Sequence, residues 1–126
     1  MTYLKLSPRS YLIALPVALL ATALVFAGSA PAATKTLSGS VGPGFTISLK
    51  YKGKKVSKLT PGRYRIRVSD KSDFHNFHIS GPGVNRRITT VDFQGTKSRT
   101  FRLKRGTYRY VCDPHSDEMK GSFKVG

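Results

Sequence analysis

The sequence beyond residue 32 predicts an all-β fold, an antiparallel β-sandwich or barrel around a single core. Three observations carry this. Apolar and polar residues alternate with a period of two, most clearly where Tyr64, Ile66 and Val68 interleave with Arg63, Arg65 and Arg67. Glycine and proline break the chain at short intervals, at Gly42-Pro43-Gly44, Gly53, Pro61-Gly62, Gly81-Pro82-Gly83, Gly95 and Gly106. No stretch after residue 32 sustains the periodicity of an amphipathic helix, and there is no internal repeat or low-complexity tract.

The chain opens on a leader. Lys5 and Arg9 stand without an acid, and Tyr11 to Ala27 then runs uncharged through Leu, Ala, Val and Ile. A basic start followed by an apolar run and small residues reads as a secretory signal peptide. Ala30-Pro31-Ala32 places the cut after Ala32, because a cut after Ala30 leaves Pro31 just past the scissile bond. The predicted organisation is therefore a signal peptide, 1–32, and one compact domain, 33–126. An uncleaved anchor is the alternative, since the apolar run nearly has the length to cross a bilayer as one helix. The domain is expected in the periplasm, on the cell surface or secreted, with no membrane span once the signal is removed.

Within the domain, Phe45, Ile47 and Leu49 alternate with Thr46, Ser48 and Lys50, the pattern of a half-buried strand. A lysine-rich turn at Gly53 and a break at Pro61-Gly62 lead to the strand at Arg63 to Val68, whose arginines face water. Phe74 to Ser80 is a short apolar strand stopped by Gly81-Pro82-Gly83. Arg86 to Phe93 and Thr96 to Lys104 read as two strands joined around Gln94-Gly95, with Phe101 and Leu103 on one face. Arg105-Gly106 turns the chain into Thr107 to Cys112, and Gly121 to Val125 closes the fold with Phe123 and Val125 inward.

The chain carries 22 Lys and Arg against 6 Asp and Glu, a formal net charge of +16, of which the leader supplies only Lys5 and Arg9. Most of these cations fall on outward strand positions. They make a solvated basic face that favours an acidic partner.

Cys112 is the only cysteine, so no internal disulfide can form. A free thiol in an exported protein needs burial or ligation. Its neighbours supply the reason for ligation: Cys112, His115 and Met119 bring a thiol, an imidazole and a thioether within eight residues. Side chains two residues apart along a strand share a face. Cys112 has the parity of Tyr108 and Tyr110 and so points inward; His75 has the parity of Phe77 and Ile79 and also points inward, while His78 points away. A thiolate and two imidazoles with a weak axial thioether accommodate copper in both oxidation states. Ligation also stabilises the thiolate. The predicted metal ligands are therefore His75, Cys112, His115 and Met119. A zinc site built from His75, Cys112, His115 and a carboxylate competes, but the soft Met119 and the single thiolate favour copper.

At these residues the chain resembles the cupredoxins, the small blue-copper proteins that include plastocyanin, pseudoazurin and amicyanin. The resemblance covers Gly42 to Val125 and rests on His75-Asn76 and on Cys112, Pro114, His115 and Met119, which match a His-Asn pair and a Cys-x-Pro-His loop followed by methionine. It implies a Greek-key sandwich with one type 1 copper centre. It further implies that Asn76 ties the His75 segment to the ligand loop. Pro114, lacking an N–H, would limit the hydrogen bonds reaching the thiolate, and His115 near the surface would carry the electron. One departure concerns spacing. Three residues separate His115 from Met119, against four in plastocyanin and two in amicyanin, which bears on the axial bond and the potential.

The leading function is that of an exported electron-transfer protein, a monomer whose redox protein partner presents an acidic surface. Three histidines cannot also build the trinuclear cluster of a multicopper oxidase or the second copper of a copper nitrite reductase, so no enzyme is expected. No Ser/His/Asp set or paired carboxylates point elsewhere, and Asp117-Glu118 reads as an exposed turn. Copper delivery or storage is the alternative that uses the same ligands. A basic polyanion-binding module is the third, motivated by Arg63, Arg65, Arg67 and the lysines from Lys50 to Lys58. Nucleic acid is not expected as a partner, because Tyr64, Phe101 and Phe123 face inward and leave no platform for stacked bases.

Overall fold

Alternating side chains give each strand one oily face, and two sheets must meet to bury those faces. The computed structural model describes residues 23–126 together with positions 2, 8, 10 and 12–14. Most of the predicted signal peptide, 1–32, lies outside the described residues; 23–34 are exposed and form no strand or helix. Among the described residues no helix is long and apolar enough to cross a membrane.

Among the described residues ten strands follow one another: β1 (Lys35–Val41), β2 (Ile47–Tyr51), β3 (Lys54–Lys55), β4 (Lys58–Leu59), β5 (Gly62–Asp70), β6 (Phe77–Gly81), β7 (Val84–Thr89), β8 (Gly95–Leu103), β9 (Gly106–Val111) and β10 (Lys120–Val125). A single 3-10 turn, Asp113–His115, interrupts them. They form two five-stranded sheets, ordered β3-β2-β1-β5-β8 and β4-β10-β9-β6-β7. The fold is the predicted all-β sandwich, with mixed rather than wholly antiparallel sheets: β1 runs parallel to β5 and β4 parallel to β10.

The core lies between the sheets. Leu37, Leu49, Tyr64, Ile66 and Val68 from one meet Phe77, Ile79, Tyr108, Tyr110, Phe123 and Val125 from the other, all buried. Arg63, Arg65 and Arg67 are exposed, as their parity requires.

Several elements depart from the sequence expectation. β1 was not anticipated, because Ser38-Gly39-Ser40 between Leu37 and Val41 dilutes the alternating signal, while β3 and β4 are too short to show any period. Phe45 precedes β2 instead of starting it, and is 57% exposed. β7 and β8 belong to opposite sheets, so Gln94-Gly95 lies on a crossing between layers and not on a hairpin turn.

Two aromatic rings set the packing of the second sheet. Tyr108 lies across Gly81 and Tyr110 across Gly121, each so close that an added Cβ would overlap the ring. The same rings stack on Phe123 and Phe77, with centroids 5.4 and 5.6 Å apart. Overpacking of this kind costs about 1–3 kcal/mol. Gly81→Ala and Gly121→Ala are each expected to lower urea-unfolding stability by that amount, whereas Gly44→Ala, with open space around its Cα, is expected to change it little.

Candidate metal centre

β1 and β5 end, and β6 and β10 begin, at the same end of the sandwich where β9 runs out at Val111. The predicted ligands sit in the loops there. Cys112 continues the inward parity of Tyr108 and Tyr110 one step past β9 and is fully buried. The chain then enters the 3-10 turn with Pro114 in its first turn, where a missing N–H is tolerated. The His115 N–H donates to the Cys112 carbonyl at 3.1 Å, the Met119 N–H to His115 at 2.8 Å, and the Cys112 N–H to Met119 at 3.0 Å. These three bonds fold the loop back on itself. His115 is left half-buried and Met119 fully buried, while Pro114 is exposed.

His75 and Asn76 lie in the loop before β6, not on a strand, and both are completely buried. His78 does lie on β6 and faces away from the core, as its parity predicts, but strand alternation does not reach the loop and accounts for the burial of neither His75 nor Asn76. Phe74, on the outward parity, is 49% exposed and tilts against the His75 ring at 4.3 Å between centroids.

The donor atoms of His75, Cys112 and His115 converge. The two Nδ1 atoms are 3.1 Å apart, and each is 3.6 Å from the Cys112 Sγ. A point equidistant from all three lies about 2.0 Å from each, at the short end of the range of roughly 2.0–2.3 Å in which zinc binds nitrogen and sulfur. The triangle thus has the size for a first-row metal ion. No carboxylate joins this cluster among the described residues. The donor set of one thiol and two imidazoles, in a loop whose backbone bonds also hold the buried Met119, fits copper and lacks the carboxylate that the zinc alternative requires.

Asn76 links the two loops three times. Its backbone N–H points at the Cys112 Sγ at 3.5 Å, its side-chain amide donates to Asp113 Oδ2 at 2.8 Å, and its Oδ1 accepts from the Asp113 N–H at 2.7 Å. Asp113 is held further by His78 Nδ1 at 2.8 Å and Arg87 Nε at 2.7 Å, and His78 reaches Asn85 with its other nitrogen. Burial alone would raise the Asp113 carboxyl, but the hydrogen bonds from His78, Asn76 and Arg87 outweigh it and bring the pKa down to about 2.

Burial pushes the Cys112 thiol up, against the Asn76 and His115 backbone N–H groups and with reinforcement from the charges of Asp113 and Asp70. The free thiol keeps its proton, so a metal must displace it. Burial likewise raises the carboxyl of Asp70, opposed by Thr89, Ser72 and the charge of His75. Asp70 Oδ2 and His75 Nε2 are both buried without a hydrogen-bond partner.

Two contributors escape sequence reasoning. Phe45 meets the edges of His75 and His115 at 5.5 and 4.8 Å between centroids, although thirty and more residues separate it from them in sequence. Asp113 sits inside the ligand motif, where its position next to Cys112 was the one available signal.

No sequence-family profile and no curated protein matches the chain. Solved structures with a similar fold include the copper protein rusticyanin, with a TM-score of 0.51 and 21% identity over 74% of this chain and 78% of that one. Reduced rusticyanin gives 0.50 and 24% over 74% and 79%. A chain of a heme-copper terminal oxidase dimer gives 0.53 and 20% over 74% and 64%. At these identities the likeness is one of fold, and the chain has the cupredoxin β-sandwich.

The Asp113 network has a pH signature. Because the folded carboxyl lies near 2 and its ordinary value is 3.8, its stabilisation is fully present above pH 4 and is lost as the pH falls towards 2. Asp113→Asn is expected to destabilise the metal-free protein by about 1–2 kcal/mol at pH 7, allowing for the exposure of Arg87. Unfolding curves at pH 7 and at pH 2 measure this, and most of the difference from wild type should have disappeared at the lower value, where the folded carboxyl is about half protonated.

Proposed function

We propose that this chain is an exported blue-copper electron carrier that holds one copper through His75, Cys112 and His115, with Met119 as a weak axial ligand. The carrying observation is the triangle of two Nδ1 atoms and one Sγ, closed to metal-binding size with no carboxylate in it. The bound copper supplies a one-electron couple.

The chain's own residues do the rest. Asn76 and Asp113 hold the two ligand loops in register, and the Asn76 N–H reaches the sulfur that a thiolate would occupy. Fully buried Met119 and His75 keep water from the inner side. His115 is the one half-buried member of the triangle, so the electron enters and leaves along its edge, beside Phe45. A redox protein docking over that edge is the partner, and the chain acts as a monomer without turning over a substrate.

Adding Cu(II) to the purified protein is expected to produce an intense visible thiolate-to-copper band and a reversible one-electron couple. Cys112→Ser and His75→Ala should abolish the band, and a pale or colourless wild-type product would contradict the assignment. Met119→Leu is expected to keep the band and raise the potential, because losing a donor destabilises Cu(II) more than Cu(I). Voltammetry reads the shift. Copper retained as Cu(I) and passed to an apoprotein, without reversible cycling, would assign the site to copper delivery.

A further inference from the structure

The charge of this protein is segregated along its length. Its six acids are Asp70, Asp73, Asp92, Asp113, Asp117 and Glu118. Every one belongs to the metal-centre end: Asp70 closes β5, Asp73 follows it, Asp92 lies in the β7–β8 connection, and the others lie between β9 and β10. The opposite pole, where β1, β5 and β9 begin and β8 and β10 finish, has no acid at all. It presents exposed Lys35, Arg63, Arg102, Lys104 and Arg105. Among the described residues both ion pairs involve Asp113, so no acid neutralises these cations.

The basic pole is also built rigidly. The Tyr108 hydroxyl accepts from the Lys104 N–H at 2.9 Å and donates to the Pro82 carbonyl at 3.0 Å, joining two turns. The Tyr64 hydroxyl donates to the Thr60 carbonyl at 2.8 Å. The chain preceding β1 arrives at this same pole, where Pro31 and Ala32 line a groove with Arg63, Arg102, Lys104 and Arg105.

We propose that this pole is a docking surface for an anionic phospholipid bilayer, which holds the metal centre outward on the far side of the molecule. Phosphate headgroups match an acid-free set of arginines and lysines. From Arg63 to Asp70 along β5 is roughly 23 Å, more than two screening lengths at about 0.1 M salt. The acids at the metal end therefore do not cancel the attraction. The acid-free cations thus lie at the pole opposite the metal end, where all six acids stand. This inference needs no copper and stands whether or not the metal assignment does.

The test uses residues 33–126, which retain the whole core from Leu37 to Val125 but cannot insert the leader. Co-sedimentation with phosphatidylcholine vesicles, with and without phosphatidylglycerol, is measured at about 0.1 M salt. Binding is expected only to the anionic vesicles. Each cation near such a surface contributes about fivefold, so the Arg63→Gln/Arg102→Gln/Arg105→Gln triple should weaken binding about a hundredfold. Lys71→Gln/Lys97→Gln/Lys120→Gln, at the metal end, should change it by less than about threefold. Unchanged unfolding curves for both triples show that the fold is intact. Equal losses from the two triples, or equal binding to neutral vesicles, overturns the proposal. So does a protein that ignores both kinds of vesicle but binds soluble polyglutamate, which would assign the pole to an acidic polymer.

Discussion

The paired hydrogen bonds between the Asn76 side chain and Asp113 are the constraint on which the site depends. β6 and β9 are adjacent in the second sheet, but their register ends at His78 and Val111, short of both ligand loops. Beyond that point no ladder fixes how far His75 stands from Cys112. The Asn76 amide continues the pairing by two further bonds, at 2.8 and 2.7 Å, and its backbone N–H adds the contact to sulfur. One of those bonds goes to a carboxylate, and charge-assisted hydrogen bonds are roughly twice as strong as neutral ones.

That constraint explains why two buried or half-buried carboxylates near the site behave in opposite ways. Asp113 collects His78, Asn76 and Arg87 and is driven strongly anionic. Asp70, buried and less fully paired, is pushed up. The anionic partner is the one that braces the ligand loop, and the loop in turn holds a thiol that burial keeps protonated until a metal replaces the proton. Polar contacts outside the triangle thus tie together the two loops that carry the three donors.

Legibility in the sequence followed the range of the contacts. The strands β5, β9 and β10 showed themselves because burial alternates within six to nine residues. Cys112, His115 and Met119 were legible as a cluster for the same reason, since one short loop carries them. β1 was hidden by its small residues, which leave room for neighbours such as Val68 and Phe77 against Gly39. The Asp113 network joins residues 26 to 37 positions apart, and no local pattern encodes it. Net charge was visible from composition, whereas its segregation required the strand order: the six acids are scattered from 70 to 118, and only the sandwich gathers them at one end.

The central claim is that His75, Cys112 and His115 form one donor set fixed by the loops and not by the ion. X-ray absorption at the copper edge, recorded on the oxidised and reduced protein, tests it most directly. The account predicts one short sulfur and two nitrogen neighbours in both states, with bond lengths changing only slightly. A copper bound by nitrogen and oxygen alone, or one that gains or loses a donor on reduction, would contradict it.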